Sequence, residues 1–356
     1  MRLIQFQLPP LIGILSLATL AFTAVTPSTV FPLPGPLLES SSWFENLAVR
    51  PNGLILATRG DAPEIWHIDP ATRTGAVLVS LSPETGAFNL TGIAQVSSGG
   101  SKSGSGKETY VFGSSQIPAP LQVTPGSAKV WKLVFESNLN TSSLTLSLLA
   151  EMPDAGFING IAAWSSGSLL LSDTERSVVY MMDLTTGAYT TPLTNLSGIN
   201  GIQTVLPSGG KPGYVYRVDF FSLTLGRIPL DGATATALGP EEIVVEGQLI
   251  DDFALQIHGN SGAGKAYLGT MFENSVVEVA FGPPTGGKGK GKEKGSGGGG
   301  KKRLVAGNLT GTGSGLCTVA VFGRREEDKN VLYVAVGQGG EGGGNAKIVA
   351  LDLGEL

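Results

Sequence analysis

Six copies of one tetrapeptide pattern, spread along the chain, leave few folds open. They are ENLA at Glu45, TGIA at Thr91, NGIA at Asn159, NGIQ at Asn200, DDFA at Asp251 and CTVA at Cys317, spaced by 41 to 68 residues. Each copy leads after a turn into a second β-like run (LILATRG, YVFGSS, LLLSDT, YVYRVD, AYLGTM, LYVAVG) and then a third (EIWHID, KVWKLV, VVYMMD, LGRIPL, VVEVAF, KIVALD). A unit of three or four strands cannot bury its hydrophobic face alone and must stack on its neighbours. Six such units in a ring predict an all-β chain, a six-bladed β-propeller. The segment VFPLPGP at 30–36 closes that ring if it adds an outer strand to the last unit beside KIVALDL.

The uneven spacing follows from insertions. Glycine- and serine-rich stretches at 97–108, 283–303 and 337–345 cannot bury enough apolar surface to order and read as solvated excursions. The second carries six lysines and one arginine, and reads as a disordered Gly/Lys loop on an acidic protein. Residues 25–356 therefore form one propeller domain, with blades starting near 43, 88, 157, 198, 249 and 314. A net charge of -5, with no basic face outside that loop, excludes a nucleic-acid partner.

Residues 1–24 read as a signal peptide. Arg2 precedes an apolar stretch from Leu8 to Leu20 and small residues around Ala21 to Ala24, while Pro9, Pro10 and the short apolar core argue against an uncleaved anchor. The expectation is a secreted or luminal protein with no stable membrane insertion after cleavage. Four sequons agree with this and make Asn89, Asn140, Asn195 and Asn308 candidate glycosylation sites. The single cysteine, Cys317, excludes an intrachain disulfide.

The innermost strands of a propeller line its central channel, so the first residues of the six tetrapeptides should face one another. That ring reads Glu45, Thr91, Asn159, Asn200, Asp251 and Cys317. Its two carboxylates and two amides are hard oxygen donors with the charge that Ca²⁺ requires, which makes a divalent cation the expected guest. Zinc fits poorly, with one cysteine and no histidine in the ring. The rival reading treats Asn159-Gly160 and Asn200-Gly201 as ordinary turns and Asp251 as an exposed acid.

The pattern resembles the senescence-marker-protein/gluconolactonase (regucalcin) superfamily over roughly residues 43–353. That resemblance implies an axial metal held by Glu45, Asn159, Asn200 and Asp251, the positions the repeat register also gives. Ile250-Asp251-Asp252 stands where those lactonases carry Pro-Asp-Gly, so either acid could be the ligand; the register favours Asp251. The wording WFENLAVR, LATR and DDFAL is most similar to a secreted-looking fungal branch that includes hetero-Diels-Alderases. The resemblance implies a small-molecule enzyme of fungal secondary metabolism acting on an apolar polyketide or terpenoid by cyclisation. A Ca²⁺-dependent lactonase acting on a lactone, or a binding propeller with a structural metal, are the alternatives.

Asp252 and His258 are the candidate catalytic residues, as attacking or acid-base groups. HGNSGAGKAY at 258–267 nearly spells a phosphate-binding loop, but Ala266 replaces the required Ser or Thr and a strand follows, so a hairpin turn is expected. His67 falls in a third run, away from the axis. Trp66, Trp131 and Tyr180 share one position of the third run and read as packing between blades. Cys317 reads as a small buried apolar residue.

Overall fold

The computed structural model describes residues 24–33, 42–96, 106–116, 122–136, 143–209, 211–259, 262–271, 273–284, 300–307, 316–337 and 346–354. Within them the chain forms six antiparallel sheets of four strands each. The only helical turn among the described residues is the 3₁₀ segment Pro83–Thr85 between the first two sheets. The inner strands are Phe44–Val49, Asn89–Val96, Ile158–Ala163, Ile199–Val205, Ile250–Ile257 and Cys317–Phe322. Each packs on the next, and the sixth packs on the first, so the sheets are the blades of a closed six-bladed β-propeller, numbered one to six in chain order.

Strand composition follows position in the blade. Second strands lie between neighbouring blades and are buried on both faces, so Ser168–Asp173 carries three consecutive leucines and is buried from Leu169 onward. Outer strands such as Leu144–Glu151 touch protein on one face only and are no more than half-buried. Trp66, Trp131 and Tyr180 are buried at equivalent third-strand positions and join the clusters between blades, as their shared register predicts.

Turns are set by aspartates. Asp69, Asp183 and Asp231 end third strands, and each Oδ1 accepts backbone N–H bonds from the two residues that open the turn. Those bonds hold all three carboxyls below the usual range.

The ring is latched by Ser28–Pro32, which pairs with Lys347–Asp352 as the outer strand of blade six. Phe31 also reaches Trp66 of blade one, with ring centroids 5.8 Å apart. One short segment thus ties the last blade to the first.

Two expectations need correction. Lys301, Lys302 and Arg303 do not belong to the solvated insertion; they pair with the third strand of blade five, where Arg303 Nη2 donates to Glu278 Oε2 at 2.7 Å. Asn89 is no glycan site in this fold: it is buried in the inner strand of blade two, its Oδ1 accepting from Ser115 N at 3.2 Å. Asn195 stands exposed on a turn. Asn140, Asn308 and nearly all of the signal segment lie outside the described residues. Among the described residues no helix is long and apolar enough to cross a membrane.

Candidate active site

All six inner strands shift register at the same place. The shifts fall between Phe44 and Asn46, Leu90 and Ile93, Ile158 and Ile161, Ile199 and Ile202, Ile250 and Phe253, and Cys317 and Val319. A bulge places an extra residue in one strand and re-aims its side chain, so the repeated tetrapeptide marks a repeated bulge at one end of the channel. Hydroxyls then lock neighbouring blades together. Thr58 Oγ1 donates to Thr91 O, Ser172 Oγ to Asn200 O and Thr318 Oγ1 to Phe44 O, each at 2.7 Å.

On blades two, three and four the inner strands approach too closely for a side chain at the second tetrapeptide position, which is Gly92, Gly160 and Gly201. A Cβ on Gly201 would lie 2.5 Å from Asp252 Oδ1 and 2.8 Å from Asp251 O. Gly201→Ala is expected to cost about 1–3 kcal/mol by forcing blades four and five apart, read as a lowered thermal midpoint. Unchanged stability would show that the strands have slack.

The bulges bring an acidic cluster together from opposite ends of the repeat. Glu45, partly buried, accepts from Trp43 Nε1, and burial raises its pKa against that bond. Asp251 Oδ1 accepts from Asn200 Nδ2 at 2.9 Å. Its pKa stands well above the usual range, first from burial and then from the charges of Glu45 and Asp252. Asp252 is pushed up to about 7 by burial, against hydrogen bonds from Phe253 N, Asn46 and Gln203.

Asp252 is held rather than free. Its Oδ2 takes Asn46 Nδ2 at 2.8 Å and its Oδ1 takes Phe253 N at 2.7 Å. Asn46 belongs to blade one and Asp252 to blade five, so this bond links two blades that are not neighbours in the ring. Each carboxylate oxygen of Asp252, the expected attacking group, thus already accepts one hydrogen bond.

His258 is not brought to the ring. It is exposed, one residue beyond the end of Ile250–Ile257, and its N–H closes the hairpin onto Ala263 O at 2.9 Å. Seven residues of extended strand put it about 23 Å from Asp251. The phosphate-loop look-alike is this same hairpin, leading into the strand Gly264–Thr270. His67 lies in the third strand of blade one, where burial and the charge of Arg50 lower its pKa.

Thr91 and Cys317 occupy ring positions without joining the cluster. Thr91 turns its hydroxyl over Gly113, where a Cβ would lie 2.5 Å from it. Cys317 is fully buried, its thiol pushed up to about 12 by burial and by the charge of Asp251. A thiol reagent at pH 8 is expected to label Cys317 only after unfolding. Rapid labelling of folded protein would contradict that environment.

Two members of the site escaped sequence reasoning, Asn46 and Gln203. The readable signal for Asn46 was its place after the ring residue, where blades two to four carry glycine and blade five carries Asp252. At the far end of blade four, a separate cavity of about 370 Å³ is lined by residues including Pro207, Lys211, Leu230 and Leu238.

Comparison with known proteins finds distant relatives and a shared fold. The chain is 23% identical over 360 residues to a proposed hetero-Diels-Alderase from Phoma sp, covering 93% of this chain and 94% of that one. It is 24% identical over 349 residues to a second from Sarocladium schorii, covering 85% and 78%. Regucalcin of Agrobacterium tumefaciens, described as a calcium-binding protein, superposes with a TM-score of 0.53 at 17% identity, over 91% of this chain and 95% of that one. A proposed gluconolactonase superposes at 0.54 with 13% identity, over 93% and 92%. The chain shares its six-bladed propeller fold with these two structures. No protein-family model matches it.

Within this fold the donor set decides whether a cation fits. Among the described residues no three His, Cys, Asp or Glu side chains are grouped to hold a metal ion. The expected set is different in kind, since two of its four members are amides. Asn200 Oδ1 is buried without a hydrogen-bond partner, while its Nδ2 is bound to Asp251. An orphaned amide oxygen beside raised carboxyls matches the oxygen-only donors of a hard cation. Asn159, 9% exposed, holds the equivalent register on blade three.

Proposed function

We propose that this propeller is an enzyme that transforms an apolar small molecule at the ring end of its channel, promoting a hetero-Diels-Alder-type cyclisation. The observation that carries the reading is the buried polar cluster at the ring, where Asp251 accepts from Asn200 Nδ2 at 2.9 Å and Asp252 from Asn46 Nδ2 at 2.8 Å, with burial raising the carboxyls of Glu45, Asp251 and Asp252. A buried carboxyl that keeps its proton near neutral pH donates a hydrogen bond, and a donor aimed at a carbonyl oxygen draws electron density from a conjugated partner. Cycloaddition consumes three π bonds and forms two σ bonds and one new π bond, with no net proton or electron exchanged. Catalysis then requires holding a proton and two reactants in place rather than moving a proton. The two relatives named as proposed hetero-Diels-Alderases support this class.

Glu45, Asn159, Asn200 and Asp251 would hold a hard divalent cation such as Ca²⁺, and a cation there would supply the same electron withdrawal as a fixed charge. That orphaned Asn200 oxygen also favours a second reading, a Ca²⁺-dependent lactonase in which the substrate carbonyl is polarised for attack by water.

The discriminating experiment offers purified protein an ortho-quinone methide generated in situ with an electron-rich alkene, and separately a lactone. Formation of one cycloadduct enantiomer above the uncatalysed rate supports cyclisation. Proton release from the lactone, with a racemic adduct, supports the hydrolase instead. The exposed Asn195 sequon further agrees with a secreted or luminal enzyme.

A further inference from the structure

The ring end of the channel is chemically lopsided. The carboxyls come from blade one (Glu45) and blade five (Asp251 and Asp252), flanking blade six. Above the ring on blades two, three and four stand phenylalanines. Phe88 is one residue before the inner strand of blade two, is 50% exposed, and is fixed by its N–H to Ser115 O at 3.0 Å. Phe157 immediately precedes the inner strand of blade three, with its N–H on Asp173 Oδ1 at 3.0 Å. On blade four Phe220 N donates to Gly198 O at 2.7 Å, two residues before Asn200. Its neighbour Phe221 is 73% exposed, and the two rings stand 6.0 Å apart, edge to face.

Two features set this arc apart from scattered surface hydrophobics. Among the described residues the other large exposed apolar side chains are aliphatic: Val77, Leu148 and Leu304 on outer strands, Leu206 and Leu238 at the far end of blade four, and Leu223 on the turn that carries Phe221. The aromatics instead occupy three consecutive blades, each anchored by backbone within three residues of a ring position. Exposed aromatics grouped at the end of the blades that carries a buried polar cluster mark a candidate binding surface.

We infer that Phe88, Phe157, Phe220 and Phe221 are the specificity-determining residues of the site, gripping the planar conjugated body of an amphiphilic substrate whose single hydroxyl or carbonyl head points across the channel to Asp251. This rests on the ring end being the reaction site. It adds an orientation that the ring alone does not give: apolar body over blades two to four, polar head toward blades five, six and one.

The test measures equilibrium binding of 2-naphthol, a planar aromatic with one hydroxyl, to full-length protein by dialysis. Phe221→Ala and Phe88→Ala change exposed side chains, so folding is retained and is checked by thermal melting. Each is expected to weaken binding roughly three- to tenfold. Naphthalene, lacking the head group, is expected to bind more weakly than 2-naphthol to wild type but equally to wild type and Asp251→Asn. Unchanged 2-naphthol affinity in the double variant overturns the inference. So does a wild-type dimer, seen in sedimentation, that Phe221→Ala disperses while binding is unaffected, since the arc would then join two copies. Binding is read without turnover: if the phenylalanine variants bind normally while wild type cyclises, the inference alone fails. If they lose binding while no cycloadduct ever forms, the proposed reaction alone fails.

Discussion

Asp251→Ala is expected to lower kcat/KM for cycloaddition by roughly 10²–10³, the usual loss when one preorganised electrostatic group is removed from a buried site. Asp251 stands at the centre of the cluster: Asn200 is bonded to it, and the charges of Glu45 and Asp252 act on it. Asparagine at this position separates the two ways the group can work. Asp251→Asn keeps a hydrogen-bond donor but removes the negative charge. If Asp251 works as a neutral donor, the asparagine variant retains most of the rate. If it works as a cation ligand, Asp251→Asn is as damaging as Asp251→Ala, and Glu45→Gln falls with it. Initial rates and the enantiomeric excess of the adduct give the answer. Full rate and full stereocontrol in Asp251→Ala would remove the cluster from the chemistry altogether.

The same cluster is expected to make the cation-free protein less stable as pH rises from about 4 to 7. Asp252 shifts from an ordinary 3.8 to about 7 on folding. Between those values the folded chain keeps a proton that the unfolded chain has released, so stability falls as pH rises. The loss is complete above about pH 7 and is on the order of 4 kcal/mol. Raised carboxyls at Glu45 and Asp251 act in the same direction. Asp69, Asp183, Asp231 and Glu278 are lowered, so their contributions are already present above about pH 4.5 and vanish only in stronger acid. His67 opposes the trend. Its depressed pKa makes stability rise as pH approaches 6.5.

Urea unfolding with a chelator isolates the effect when wild type is compared with Asp252→Asn, in which His67 is unaltered. Wild type is expected to lose stability between pH 5 and 8 while the variant loses much less. Ca²⁺ added at pH 8 is expected to restore the wild type, because a cation replaces the lost proton. Parallel pH curves for the two proteins would show that Asp252 is not desolvated as described.

The grouping of Glu45, Asn200 and Asp251 was legible because a propeller converts linear periodicity into angular position. Residues 41 to 68 apart, each polar and each opening an apolar strand, had one geometric use. The bond from Asn46 to Asp252 was not legible, because it joins blades one and five across 206 residues and leaves no periodic mark. Nearness in sequence misled for His258, since an extended strand carries each successive residue about 3.3 Å further from the ring. Composition misled for Lys301, Lys302 and Arg303, where a Gly/Lys-rich tract runs on into a paired strand. The sequon at Asn89 met the glycosylation pattern while lying inside an inner strand, where the backbone ladder and Ser115 claim it. Phe88 and Phe221 carried no signal at all, because an exposed aromatic in a loop has meaning only once the end of the blade that carries it is known.

The most direct test is a crystal structure with an unreactive ketone analogue of the conjugated substrate. The account predicts its carbonyl oxygen within hydrogen-bonding distance of Asp251 or Asn200, with its flat body against Phe157 and Phe220. An analogue seated in the cavity between Pro207, Leu230 and Leu238 at the other end of blade four, with the ring end empty, would contradict it.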